Sequence, residues 1–195
     1  MVKTWFGCKV RAVFLALAIG LLMAVAASGD QSPGKEGLKA GDSRGAAAGD
    51  QAPESGTVKA HVYFGAESGS YLRAEQVRLE AGPDPVLFGR RLLEALIAGP
   101  RPPGRAVLPT TTVVRSFFIR SDGTAYVDLE SKSLEGWPFS ALSELLAVYA
   151  IVDTLVVNLD QVDAVKITLD GTESPTLAGH VDLSQPLAAD LLWVR

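Results

Sequence analysis

From residue 58 onward the hydrophobic positions of this chain recur with regular periods. Ahead of it they form one unbroken run and then all but disappear. In VKAHVYFGA (58–66), Val58, Ala60, Val62 and Phe64 alternate with Lys59, His61 and Tyr63, the period of two expected of a half-buried strand. YLRAEQVRLEA (71–81) predicts a second strand with Leu72, Val77 and Leu79 inward and Arg73, Arg78 and Glu80 outward; the alternation slips near Glu75, which predicts a bend. Asp84-Pro85 then opens a helix, since Asp accepts from free N–H groups and Pro suits the first helical position. Phe88, Leu92, Ala95, Leu96 and Gly99 follow the helical spacing of a core-facing stripe, and Gly99-Pro100 ends it.

Pro109 and the threonines after it lead into VVRSFFIRSDGTAYVDLES (113–131), two strand patterns about Ser121-Asp122-Gly123. Asp-Gly between β-rich runs predicts a hairpin, because these residues tolerate positive φ. Ser140 caps a second helix predicted to reach about Leu155, with Leu142, Leu145, Leu146, Tyr149, Val152, Leu155 and Val156 as its buried stripe. VDAVKITLDG (162–171) predicts the last strand, and the tail from 179 reads as extended, with apolar anchors and room for one short strand. The order β-β-α-β-β-α-β predicts a single α+β domain over 57–195, a mainly antiparallel sheet with two helices packed on one face.

The run before the domain changes the picture from fold to address. MVKTWFGCKVR is basic, AVFLALAIGLLMAVAA (12–27) is apolar, and small residues close it at Ala24-Val25-Ala26 and Ala26-Ala27-Ser28. Residues 1–27 therefore read as a secretory signal peptide or, uncleaved, an N-terminal anchor with Lys3, Lys9 and Arg11 held inside. Residues 28–56 hold almost no large apolar residue beyond Leu38 and read as a disordered linker. The expected location is the extracytoplasmic bacterial cell envelope, either secreted or tethered to the cytoplasmic membrane through this segment alone. Cys8 lies ahead of the apolar run, whereas a lipid-anchoring cysteine would follow it.

Charge and rare residues exclude several chemistries. Net charge is −4, and the domain itself carries the excess of acids, which disfavours nucleic acid as a partner. One cysteine and two histidines, His61 and His180, give no disulfide within the chain and no cysteine- or histidine-rich metal cluster. His61 falls on the polar face of its strand. Within 57–195 there is no G-x-S-x-G, and the chain has no Walker loop or dinucleotide glycine pattern. The carboxylate pairs Asp128/Glu130 and Asp160/Asp163 have the chemistry for glycoside hydrolysis but equally that of solvated strand-edge charges. No catalytic, cofactor or metal residue is assigned, and the protein is expected not to be an enzyme.

Two features qualify as an interaction surface. Arg90, Arg91, Arg101 and Arg105 cluster in sequence where the first helix ends, either complementing its dipole or meeting an acidic partner. Trp137 and Phe139 precede the second helix, as a hydrophobic staple or as interface anchors.

EALIAGP, LPTTT, FFIRSDGTAYVDLES, AVYAIVDTLVVN, VDAVKITLDG and GHVDLSQPL, in that order, resemble the GerMN domain of the sporulation and germination GerM family, across essentially all of 58–190. The resemblance implies a fold akin to ring-building modules. It also implies a non-catalytic envelope role through protein–protein contacts with envelope proteins of unknown identity, and no cofactor. This chain has one copy where the germination protein has a tandem pair, and it lacks the lipid-anchoring cysteine of many relatives. The alternatives are a peptidoglycan or wall-polymer-binding accessory protein and, third, a wall hydrolase.

Overall fold

The structure is a computed structural model that describes residues 56–195. The proposed signal or anchor, Cys8 and the linker up to residue 55 lie outside the described residues. The elements are β1 (Gly56–Gly65), β2 (Leu72–Ala81), α1 (Pro85–Ala98), β3 (Val114–Ile119), β4 (Thr124–Leu129), α2 (Ala141–Asn158) and β5 (Ala164–Leu169), with 3-10 turns at Ser131–Leu134 and Leu191–Trp193. Class and element order are those the hydrophobic pattern predicts.

The strands form two sheets rather than one: a β1–β2 hairpin, and a three-stranded sheet in the order β3-β4-β5. β3–β4 and β1–β2 are antiparallel, while β4–β5 is parallel from Thr124↔Ala164 to Leu129↔Leu169. The parallel pair follows from α2, whose eighteen residues carry the chain from the end of β4 back to its start. The bend expected near Glu75 does not occur, because β2 pairs with β1 without a break from Gly56↔Ala81 to Gly65↔Leu72. The phase change is resolved by burial on both faces. Val77 and Leu79 pack on one face with Ala60, while Leu72 is buried on the other, where Arg195 donates its backbone N–H to the Leu72 carbonyl. On β1 Val58, expected inward, is exposed, and Tyr63, expected on the polar face, is buried, because β1 too is covered on both faces.

α2 departs most from expectation. It continues to Asn158, and its buried residues, Glu144, Leu146–Val148 and Ala150–Leu155, lie on more than one stripe. Leu142, expected inward, is exposed. Among the described residues α2 is the one helix long and apolar enough to cross a membrane, but it is the core helix of this domain. Ser140 caps it, accepting from the Ser143 N–H while the Ser143 hydroxyl accepts from the Ser140 N–H.

The strand edges are covered by different devices. On β1, the His61 N–H donates to Asn158 Oδ1, whose own amide donates back to the His61 carbonyl; Tyr63 N–H donates to Thr154 Oγ1, and Gly65 exchanges bonds with Arg105. The outer edge of β5 is covered at Val165 by Leu187. β2 has its ends occupied by Arg195 N–H and the Arg91 guanidinium, and Arg73, Arg78 and Glu80 leave it charged along its length.

α1 reaches β3 through its smallest residue. Asp84 caps it by accepting from Val86 and Leu87 N–H, and Gly99 ends it at φ 89°. Gly89 sits on the Phe117 ring, where a Cβ would lie 2.2 Å from Phe117 Cε1. Gly89→Ala is therefore expected to destabilise the fold by about 1–3 kcal/mol through overpacking, although alanine is the better helix former. Adding Phe117→Leu should restore part of the loss in denaturant unfolding, and equal instability of the single and double variants would refute the contact.

Candidate functional site

The six residues nominated from the sequence do not share one surface depression. Arg90 lines a groove of about 360 Å³ between α1 and the start of β3, with Leu93, Ile97 and Val113. Arg91 turns to β2, bonding the Glu80 carbonyl at 2.6 Å and its carboxylate at 3.1 Å. Arg101 borders a separate depression beside Lys59, Gln76 and Arg78, and its backbone N–H donates to Glu75. Of the remaining three, Trp137 shares one depression of about 190 Å³ with Arg105, and a separate one of about 360 Å³ with Phe139, Leu134, Leu177 and Ala178. Phe139 packs against the core.

One wall of the Trp137–Phe139 depression is held by a residue that sequence reasoning passes over. Glu144 is fully buried on α2, and its carboxylate receives the backbone N–H groups of Leu177, Ala178, His180 and Val181 together with His180 Nδ1 at 2.7 Å. Burial pushes its pKa up, but the Ala178 N–H, the His180 ring and the Val181 and His180 N–H groups outweigh it and hold the carboxyl below its usual range. A carboxylate that accepts five hydrogen bonds is committed to organising the 177–181 loop.

Other polar groups are spent in the same way. Lys166, buried on β5, donates from Nζ to the carbonyls of Leu183 and Ser184, fixing the next stretch of the tail. Asp128 accepts from Thr168 Oγ1 and Gly171 N–H, so this member of the nominated Asp128/Glu130 pair is engaged in the β5 turn. In that turn Asp170 takes φ 52°, and its carboxylate receives the Ser131 N–H and hydroxyl and the Arg115 guanidinium, which lower its pKa. His61 stacks no ligand set and approaches Gln76 Nε2 at 3.4 Å. Among the described residues no group of three or more His, Cys, Asp or Glu is placed to hold a metal ion.

Asp153 is the exception to this economy. It is fully buried on α2, its Oδ1 accepts the Asp190 N–H at 3.0 Å, and its Oδ2 has no partner among the described residues. Burial raises its pKa to about 6, opposed by that N–H and assisted by the nearby Asp190 charge. Burial, with the charge of Asp153, also raises the pKa of the Tyr63 hydroxyl, and burial with the charges of Asp190 and Asp153 raises that of Tyr149. The sequence signal for both buried acids was their position: Glu144 and Asp153 are the only charges within the apolar run 141–158.

The model of the Germane family, described as sporulation and spore germination, matches residues 61–175. Among solved structures, the tandem GerMN domains of the sporulation protein GerM from Bacillus subtilis are 26% identical, with 68% of this chain and 46% of that chain covered and a TM-score of 0.57. The chain thus spans about half of that tandem protein. The first GerMN domain alone is 26% identical, with 68% and 98% covered and a TM-score of 0.57. A candidate lipoprotein from Clostridium perfringens is 26% identical, with 68% and 88% covered and a TM-score of 0.49. No curated protein matches the chain.

The two buried carboxylates are expected to act in opposite directions. Glu144→Gln should cost about 3 kcal/mol at neutral pH, since an amide N–H2 would face donors. Hydrogen exchange at Leu177–Val181 should accelerate, and unchanged protection there would refute the clamp. Because the Glu144 pKa is depressed, its contribution is complete above the unfolded pKa of ~4.3 and lost only as pH falls through the folded value. Asp153 has a raised pKa, so the fold is more stable when it is protonated: the loss sets in as pH rises from ~4 to 6 and amounts to about 3 kcal/mol at neutral pH. Asp153→Asn should flatten unfolding free energy between pH 4 and 7, and persistence of the wild-type slope would contradict the assignment.

Proposed function

We propose that this chain, which belongs to the Germane family of sporulation and spore germination proteins, works as a non-catalytic module outside the cytoplasm, in the cell envelope, through contacts with other proteins. The observation that carries the reading is how the domain spends its buried polar groups. Glu144, Lys166 and Asp128 are engaged by its own loops, and the loop that Glu144 holds walls a surface, the depression lined by Trp137 and Phe139. Trp and Arg side chains dominate the energetics of protein interfaces, and Trp137 with Arg105 offers both. The basic and apolar N-terminus supports the address.

A second reading is favoured by the same depression. An indole and a phenyl ring beside Ser131 and Glu135 suit a sugar face and its hydroxyls, so a peptidoglycan or wall-polymer ligand fits the chemistry. The readings separate in one comparison. Cross-linking in intact cells followed by isolation of the chain should recover specific envelope proteins, and Trp137→Ala should lose them while leaving unfolding unchanged. Sedimentation with purified peptidoglycan would instead select the wall-polymer reading. Residues 1–56 fused to a reporter active only outside the cytoplasm should give activity, and silence would remove the envelope address.

A further inference from the structure

The edge of β3 differs from every other strand edge in this domain. The Arg120 N–H donates to the Thr124 carbonyl, which sets the phase of the hairpin. Phe118↔Tyr126 and Ser116↔Asp128 are then the pairs that exchange bonds, and Phe117 and Ile119 turn their N–H and C=O groups away from β4. Those outward groups have no partner among the described residues, since β3 ends its sheet. β1 and β5 are covered on their outer edges, and β2 is charged along its own. The β3 edge is instead apolar, with Phe118 46% exposed and stacked on Tyr126 at 4.8 Å. A bare apolar edge invites another strand.

We propose that two copies of this chain join antiparallel along β3, about a two-fold axis through Phe118. The inference goes beyond the envelope reading and stands on strand geometry alone. In this register the outward-facing Phe117 lies opposite Ile119 of the second copy and Ile119 opposite its Phe117, so both bare bond pairs are satisfied at once. Their side chains extend the buried layer. On the other face Phe118 meets Phe118, continuing the Phe118–Tyr126 stack into a row of four rings.

Charge selects this register over its neighbours and a second copy over an acidic strand. Arg120 falls opposite Ser116, so no like charges oppose one another, and it is already paired with Asp122 at 3.3 Å. Arg115 is likewise paired, with Asp170 at 3.4 Å. With both edge arginines neutralised within the chain, an acidic strand has no free cation to meet here. A shift of two residues one way sets Phe117 against Ser121, and the other way Arg115 against Ile119; a shift of one turns the bonding groups out of phase. A symmetric, self-complementary contact of this kind closes on itself.

The test uses the full chain with Cys8→Ser, so that an introduced thiol is the only one. Opposed residues at a position without shared bonds have Cβ atoms about 4.5–5.5 Å apart, close to disulfide range. Phe118→Cys under mild oxidant should give a reducible dimer at twice the 20.5 kDa chain mass. Leu192→Cys, at 86% exposed, should stay monomeric. Sedimentation of the unmodified chain should show mass rising with concentration, and Phe118→Lys, which opposes two ammonium groups at the axis, should weaken association about tenfold or more. Circular dichroism of the Phe118 variants should match the wild type. A chain that stays monomeric at all concentrations, with Phe118→Cys cross-linking no faster than Leu192→Cys, overturns the proposal. That holds even where another protein's strand proves to take the edge.

Discussion

A helix buried on several faces cannot carry a charge without a partner, and α2 carries two. Its apolar residues bind β1, β5 and α1 into one core, so the helix is where the hydrophobic stabilisation of the domain concentrates. Glu144 sits in that core, and an ionised carboxylate there is tolerable only because four backbone N–H groups and an imidazole reach it. The tail of the chain is thereby folded onto the helix. Thr154 and Asn158, one turn apart, apply the same logic to the open edge of β1. Much of what looks like loop in this molecule is ordered by side chains of a single helix.

This arrangement bears on function because it separates rigid from bare surface. The loop that Glu144 holds forms a wall beside Trp137, so the aromatic depression is preformed rather than assembled by a ligand. Asp153 marks the opposite case, a buried carboxylate with one oxygen unanswered under the segment that leads to Leu191–Trp193. Fixed walls and a bare strand edge suit a module that docks as a body.

Much of the fold was legible residue by residue. The strand over Val58 to Phe64, the Asp84-Pro85 helix start, the Asp122-Gly123 hairpin and the Ser140 cap each act through neighbours in sequence and formed where expected, although Val58 is exposed and Tyr63 buried against the predicted alternation. Failures came where distant segments decide. The slip at Glu75 read as a bend because alternation alone cannot show that Leu72 is buried by the tail on the opposite face. The stripe on α2 was too narrow because a periodic pattern assumes a helix wet on one side. Of the candidate site, Trp137 borders Arg105 in one depression and Phe139 in another, whereas Arg90, Arg91 and Arg101 diverge, since closeness in sequence across a helix end implies no common direction.

The sequence by itself determined the class, the order of elements and the family, because caps, turns and hydrophobic periods are local and the family's motifs are written along the chain in order. It also carried the warning that Glu144 and Asp153 stand alone in an apolar run. Only the tertiary structure decided what answers them. Partners thirty or more residues away in sequence are chosen by how the tail closes over the core, and no local rule encodes that distance. The division of five strands into two sheets, and the one apolar edge left bare, belong to the same level: edges exist only once strands have neighbours.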